Sequence, residues 1–268
     1  MRTPNKPTET LLKANGIGLH YRIDGRADRP WLTFDNSLGT DLSMWDRQIE
    51  ALGEHFHILR YDRRGHGLSR TPQGAYTIDD LGQDVLGLMD RLGIRQSHFC
   101  GLSIGGLVGQ WLALNAPQRL QRLVLCSTAA RIGTGESWRA RIAQVQEHGM
   151  DSIVEGTVSR WFNEAFVAAR PGLVQHTLDN LCKVRVEGYT GCCEALIGAD
   201  FRNALGRIAM PVLALAGAQD PVTPPDDLKH LAEGVADGRY AEISGRHLCN
   251  LESPAAFNEI VLDFLSQQ

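Results

Sequence analysis

The most informative segment of this 268-residue chain is Ser97-His-Phe-Cys-Gly-Leu-Ser-Ile-Gly-Gly-Leu107. It joins an apolar run to a Gly-x-Ser-x-Gly motif, and a helical pattern follows from Leu107 to Asn115. A serine held on a sharp strand-to-helix turn needs neighbours without Cβ atoms, and Gly101 and Gly105 provide them. The pattern therefore predicts a strand, a strained turn that exposes Ser103, and a helix.

Outside this turn, short apolar runs alternate with helical patterns along most of the chain. The runs predicted to be strands are 31–35, 57–61, 97–100, 122–126, 211–216 and 239–243. The patterns predicted to be helices lie at about 78–92, 104–116, 225–234 and 254–266. Ahead of them, residues 11–24 are predicted to form a hairpin that turns at Asn15-Gly16, because both residues tolerate positive φ. The alternation predicts an α/β fold, a mostly parallel sheet with helices on both faces.

The alternation stops between residues 131 and 200, where helical periodicity continues without a strand pattern. A segment of this length between two strands is too long for a simple crossover, so we predict a helical cap laid over one end of the sheet. The predicted organisation is a core of residues 1–130, a cap of residues 131–200 and a second part of the core at 201–268. Basic and acidic residues nearly balance in the cap, so any anion recognition there depends on one or two placed residues.

Composition excludes several classes of function. The formal net charge is −4 and the pI about 6.1, so no basic face for nucleic acid or anionic lipid is expected. No apolar stretch approaches the roughly 20 residues that span a bilayer. Residues Met1–Thr10 lack the apolar core of a secretory signal, and a cytoplasmic location is expected by elimination. The six cysteines contain no Cys-x-x-Cys pair, so neither a zinc site nor a disulfide framework is expected.

A serine hydroxyl needs a base to activate it and a group that orients the base. Asp220 follows the run 211–216 and His247 follows the run 239–243, each just past the end of a predicted strand. Taken alone, an aspartate such as Asp220 is more often a helix-capping or turn residue, and a lone histidine is usually structural. In the order Ser103, Asp220, His247 they are candidates for a catalytic triad. The run 122–126 is followed by Ser-Thr rather than a carboxylate, which leaves Asp220 as the acid.

A tetrahedral intermediate also needs backbone donors for its oxyanion. One candidate is the N–H of Ile104, directly after the serine. The other is the N–H of Leu38, in the loop Asn36–Thr40 after the predicted strand 31–35, where Gly39 lets the loop turn. A plain turn without catalytic role is the alternative interpretation of this loop.

The order of these motifs resembles the α/β-hydrolase superfamily over essentially the whole chain, and an α/β-hydrolase fold is implied. Asn36-Ser37 departs from the His-Gly that general members have ahead of the oxyanion residue. The segments that resemble the bacterial 3-oxoadipate enol-lactonases are Asn36-Ser-Leu-Gly-Thr-Asp41, Met44-Trp45, Ser127-Thr-Ala-Ala-Arg-Ile-Gly133 with Trp138 following, Arg160-Trp-Phe162, Glu187-Gly-Tyr-x-x-Cys-Cys193 and His247-Leu-x-Asn-Leu-Glu252.

This resemblance implies a small-molecule substrate, a five-membered enol lactone with a free acetate arm, and a serine acyl-enzyme that needs no metal or cofactor. A carboxylate entering an apolar pocket needs a cationic partner. Arg131, at the junction of core and cap, is the first candidate, with Arg139 and Arg160 as alternatives. Trp138 and Trp161 are candidates to line the pocket or donate an indole N–H. A surface position for the arginine and core packing for the tryptophans stay open.

Other functions share the same core motifs. A carboxylesterase or a C–C bond hydrolase of ring-cleavage products is one alternative, and the cap would distinguish it. A non-catalytic, ligand-binding member of the superfamily is another, disfavoured because binding alone does not need a complete triad. Dehalogenases and epoxide hydrolases are disfavoured because they use an aspartate where Ser103 stands. The loop Asp62-Arg-Arg-Gly-His-Gly67 is expected to brace the region of the turn rather than to do chemistry.

Overall fold

The computed structural model describes residues 11–267, which contain one eight-stranded sheet. Its strands are β1 (Leu11–Ala14), β2 (Ile17–Gly25), β3 (Trp31–Asp35), β4 (His57–Tyr61), β5 (Ser97–Leu102), β6 (Leu120–Cys126), β7 (Val212–Gly217) and β8 (Gly238–Ile243). The spatial order is β1-β2-β4-β3-β5-β6-β7-β8. β2 pairs antiparallel with β1 and β4, and all other pairs are parallel. The predicted α/β fold with a mostly parallel sheet is confirmed.

Helices cover this sheet within the described chain. They are α1 (Asp46–Gly53), α2 (Ile78–Arg91), α3 (Ile104–Asn115), α4 (Gly135–His148), α5 (Val154–Trp161), α6 (Glu164–Ala169), α7 (Pro171–Lys183), α8 (Val186–Gly198), α9 (Pro225–Gly234), α10 (Cys249–Glu252) and α11 (Pro254–Ser266). Across residues 11–267, every helix is too short or too polar to span a bilayer. The prediction drawn from Met1–Thr10 lies outside the described residues.

Local sequence signals explain where several elements begin and turn. The hairpin predicted at Asn15-Gly16 is present, with φ of 46° and 82° at the two turn residues. Helix α2 begins with a capping box in which Thr77 and Asp80 satisfy each other's backbone N–H groups. Every residue of β5 and β7, neither of which is an edge strand, is buried, as expected for parallel strands covered on both faces.

The segment 131–200 contains α4 to α8 and, within the described chain, no strand. Helix α4 packs against α8. The two ends of the segment meet, because the N–H of Phe201 donates to the carbonyl of Ala130 at 2.8 Å. The segment therefore leaves and rejoins the sheet layer at one place, between β6 and β7. Its division from the rest of the chain as a cap remains a prediction.

His98 on β5 is a buried histidine that we expect to affect the free energy of unfolding. Its ring lies edge-on to Phe56, with 5.6 Å between centroids, and its Nδ1 has no hydrogen-bond partner among the described residues. Burial, with a smaller contribution from Arg122, lowers the pKa of His98 to about 4. In the unfolded chain the same ring takes up a proton near its ordinary pKa of 6.5. The unfolded state therefore gains protons as the pH falls from 6.5 towards 4, and the folded state does not.

We expect His98→Leu to reduce the acid sensitivity of folding. Between pH 7 and pH 5 the variant should lose about 2 kcal/mol less unfolding free energy than the wild type, measured by urea denaturation at both pH values. His148→Leu, which replaces an exposed histidine, is the matched control and should leave the pH dependence unchanged. Equal losses in His98→Leu and the wild type would contradict the prediction, because they would show that His98 takes up its proton over the same pH range in the folded and unfolded states.

Candidate active site

Ser103 lies at the turn between β5 and α3 with φ 61° and ψ −120°, backbone angles that residues with a Cβ rarely adopt. A Cβ on Gly101 would approach the carbonyl oxygen of Gly105 to 2.1 Å, and one on Gly105 would approach that of Asp35 to 2.5 Å. The two motif glycines therefore let the end of β5, the start of α3 and the end of β3 approach one another closely. The N–H of Ser103 donates to the carbonyl of Cys126 at 3.0 Å, which holds the turn to the end of β6.

Asp220 and His247 lie in the loops after the neighbouring strands β7 and β8, and both are buried. His247 Nδ1 is 2.8 Å from Asp220 Oδ2. Asp220 Oδ1 accepts from the N–H groups of Val222 and Thr223, and Oδ2 also accepts from the Thr223 hydroxyl. Burial opposes ionisation, but the attraction of His247 and these hydrogen bonds hold the pKa of Asp220 below its usual value. The Asp220 carboxylate can only accept a hydrogen bond, so Nδ1 of the neutral His247 ring carries the proton. Nε2 is then unprotonated and can accept a proton.

A cavity of about 70 Å³ brings together groups from distant parts of the chain. Ser103, His247 and Leu38 all line it. Its other walls come mainly from the segment 131–200 and include Ile132, Trp138, Arg141, Thr157, Arg160, Trp161, Leu181, Tyr189 and Leu196. Among residues 11–267, no cluster of His, Cys, Asp or Glu is arranged to hold a metal ion.

The loop that carries Leu38 is held by a neutral histidine. The N–H of Gly39 donates to His66 Nε2 at 3.0 Å, and His66 Nδ1 lies 3.2 Å from the carbonyl of Arg64. Burial, and then the charge of Arg63, lower the pKa of His66 to about 4, so Nε2 stays an acceptor at neutral pH. The loop around His66 therefore braces the segment beside the turn, as the sequence indicates. Within the described chain, the N–H of Leu38 donates no hydrogen bond.

Both predicted tryptophans line the cavity, but Trp138 does not offer its indole N–H. That group donates to the carbonyl of Ile132 at 2.7 Å. Trp161 is buried, with its ring edge-on to Phe162. Both rings are placed to form apolar walls, and the role of Trp138 as an indole donor is not supported by the geometry.

Arg131, the first candidate partner for a substrate carboxylate, lies outside the cavity. Its guanidinium is 3.6 Å from Asp200, and its side chain is 35% exposed. The hydrogen bond between Phe201 and Ala130 brings the two ends of the segment together, so Arg131 meets an acid there. This corrects the placement expected from sequence. Arg139 is exposed as well, whereas Arg160 lines the cavity.

Sequence analysis missed Arg141, which lines the same cavity as Arg160 and Tyr189. No carboxylate among residues 11–267 forms an ion pair with either guanidinium. Burial, and then the charge of Arg141, lower the pKa of Arg160. One end of the cavity is therefore positive without an internal counter-charge. The available signal was the three-residue spacing from Trp138, which places Arg141 on the same face of helix α4.

A serine on a strained strand-to-helix turn, at the end of a mostly parallel sheet, defines the α/β-hydrolase class. A family model described as the alpha/beta hydrolase fold matches residues 30–174. The chain belongs to this family, and it is an enzyme, a hydrolase.

Its similarity to individual proteins extends over nearly the whole chain. It is 45% identical to 3-oxoadipate enol-lactonase 2 of Acinetobacter baylyi, over 93% of this chain and 94% of that protein. It is 36% identical to 3-oxoadipate enol-lactonase 1 of the same organism, over 95% and 96%. The crystal structure of the enol-lactonase from Burkholderia xenovorans LB400 superposes with a TM-score of 0.95 at 43% identity, covering 96% of this chain and 100% of that one.

Proposed function

We propose that the protein hydrolyses 3-oxoadipate enol-lactone to 3-oxoadipate, a step of the β-ketoadipate pathway of aromatic degradation, in the cytoplasm. The observation that carries the proposal is the unneutralised pair Arg141 and Arg160 in the same cavity as Ser103 and His247. A site for neutral esters has no use for two arginines that pair with no carboxylate among residues 11–267, whereas this lactone carries a free carboxylate. The names of the similar enol-lactonases support the same substrate.

The proposed reaction begins when His247 Nε2 takes the hydroxyl proton of Ser103 and Oγ attacks the ring carbonyl carbon. The N–H groups of Leu38 and Ile104 hold the oxyanion, and Asp220 keeps the imidazole oriented and stabilises its charge. The ring C–O bond then breaks, the leaving enol oxygen takes the proton from His247, and the enol becomes a ketone. A water deprotonated by His247 then attacks the acyl carbon. The ester bond to Ser103 breaks, Oγ takes the proton back from His247, and the dicarboxylate is released.

The positive end of the cavity is the proposed site for the acetate arm. Arg141 and Arg160 would donate charge-assisted hydrogen bonds to the carboxylate. Burial raises the pKa of Tyr189, so its hydroxyl stays protonated and available as a third donor. Trp138 and Trp161 form the apolar walls beside the lactone ring. In this proposal, residues 131–200 act as a cap that recognises the substrate, and the core supplies the chemistry.

We expect Arg141→Gln to raise KM for the enol lactone about 30- to 100-fold, because one charged hydrogen bond to the carboxylate is lost. The kcat/KM for p-nitrophenyl acetate, which has no carboxylate, should change less than about threefold. Arg139→Gln removes the same charge from an exposed position on the same helix, and Arg131→Gln removes the cation paired with Asp200. Both control variants should keep the wild-type KM. Equal losses on the two substrates in Arg141→Gln would contradict charge pairing.

The experiment that tests the proposed function follows the ultraviolet absorbance of the enol lactone as the ring opens, with p-nitrophenyl acetate as the comparison. We expect kcat/KM for the lactone to exceed that for the ester by about 100-fold or more, because only the lactone uses the arginine pair. A preference for the neutral ester would favour a carboxylesterase. Binding of the lactone without ring opening would favour a ligand-binding protein.

A further inference from the structure

Glu252 stands in the motif that follows His247, but none of the proposed chemical steps uses it. It ends helix α10 and is half-buried. Its Oε1 accepts from the N–H of Arg246 at 2.5 Å, and its Oε2 accepts from the N–H of Asn163 at 3.0 Å. Arg246 precedes His247, and Asn163 lies just after helix α5. One carboxylate therefore joins the histidine loop to the segment 131–200.

The same two stretches of chain are joined by their backbones. The N–H of His247 donates to the carbonyl of Arg160 at 3.4 Å, and that of Leu248 donates to Trp161 at 3.2 Å. The guanidinium of Arg246 donates to the carbonyl of Ser159. Residues 159–163 thus form a strip along which the backbone of the histidine loop is bound. The position of His247 depends on the cap as well as on Asp220.

This strip also carries part of the substrate site, because the side chains of Arg160 and Trp161 line the cavity. We propose that Glu252 is a positioning residue that locks the His247 loop to the strip 159–163 and so holds Arg160 and His247 in one fixed relation. The link to Arg160 rests on the proposed function, whereas the positioning of His247 applies to any ester substrate.

The first test measures p-nitrophenyl acetate hydrolysis by Glu252→Gln and Glu252→Ala. Glutamine can accept only one of the two N–H groups, because its NH₂ faces the other, and alanine accepts neither. We expect kcat per active site to fall about tenfold in Glu252→Gln and further in Glu252→Ala, with KM within about twofold. Active sites are counted by stoichiometric labelling of the serine with a fluorophosphonate. Glu259→Gln makes the same substitution at an exposed position on α11 and should keep the wild-type kcat.

A purely structural role for Glu252 would lower the melting temperature or the labelled fraction and leave kcat per labelled site unchanged. That result would overturn the proposal. The graded order from wild type through Gln to Ala is the result that a positioning role predicts, because each step removes one of the two acceptors.

The second test is a double-mutant cycle of Arg160→Gln and Glu252→Gln on the enol lactone. If Glu252 holds Arg160 in relation to His247, the effects of the two substitutions should not be independent. The fold-loss of kcat/KM in the double variant should then be smaller, by at least about fivefold, than the product of the fold-losses in the two single variants. Additive losses would overturn the link. A wild type that hydrolyses the ester but not the lactone would overturn the proposed function instead, and the ester data would still decide the role of Glu252.

Discussion

Ser103→Ala is expected to lower kcat for the enol lactone by about 10⁴-fold or more, because only the proposed nucleophile is removed. Alanine keeps the Cβ of serine, so the unusual backbone angles of the turn are not strained further. The cavity and its arginine pair stay intact, and the affinity for the lactone should stay within about threefold. The lactone absorbance assay measures turnover, and isothermal titration calorimetry with the lactone on the inactive variant measures binding.

The matched control is Ser266→Ala, which removes an exposed hydroxyl at the end of α11 and should keep full activity. Residual turnover of more than about 1% in Ser103→Ala would rule out an acyl-enzyme on this serine, because the remaining oxyanion donors alone do not sustain that rate. Loss of binding together with turnover would instead indicate a disturbed turn. Turnover by the wild type, combined with binding but no turnover in Ser103→Ala, also separates a hydrolase from a ligand-binding protein of the same fold.

The second large effect is expected for Asp220→Asn, which should lower kcat for the enol lactone about 10⁴-fold. Asp220 Oδ1 accepts two backbone N–H groups, so the asparagine carbonyl oxygen must occupy that position. The asparagine NH₂ then faces His247 Nδ1, which has to become an acceptor. The imidazole proton moves to Nε2, and His247 can no longer take the proton of Ser103. The lactone assay measures the loss, which falls on kcat rather than on KM because the cavity is unchanged.

Two further variants serve as controls for Asp220→Asn. Asp226→Asn makes the same change at an exposed position on α9 and should leave kcat unchanged. Thr223→Val removes the hydroxyl that donates to Asp220 Oδ2 but keeps the carboxylate, and a loss of less than about tenfold is expected. An Asp220→Asn enzyme that retains wild-type kcat would mean that His247 is oriented by another group.

Much of the fold could be predicted because its signals are local. The apolar runs 31–35 and 57–61 coincide with β3 and β4, since buried parallel strands are short apolar stretches bounded by turns. Helix α1 was missed because it follows a 3₁₀ turn and buries only a few of its residues. The six-residue helix α6 was missed because six residues are too few to show a helical period.

The strands of the sheet, the turn at Ser103 and the chain order of Asp220 and His247 were predictable from local patterns, because each depends on residues within one strand and its following loop. The ends of neighbouring parallel strands meet at one edge, which is why β7 and β8 bring Asp220 and His247 together. Which arginine faces the cavity became known from the folded structure alone. Arg131 meets Asp200 across the joined ends of the helical segment, whereas Arg141 forms no ion pair with an acid in the described part of the chain. Ion pairing depends on the distance between two charged groups in space, and their separation along the chain does not reveal that distance.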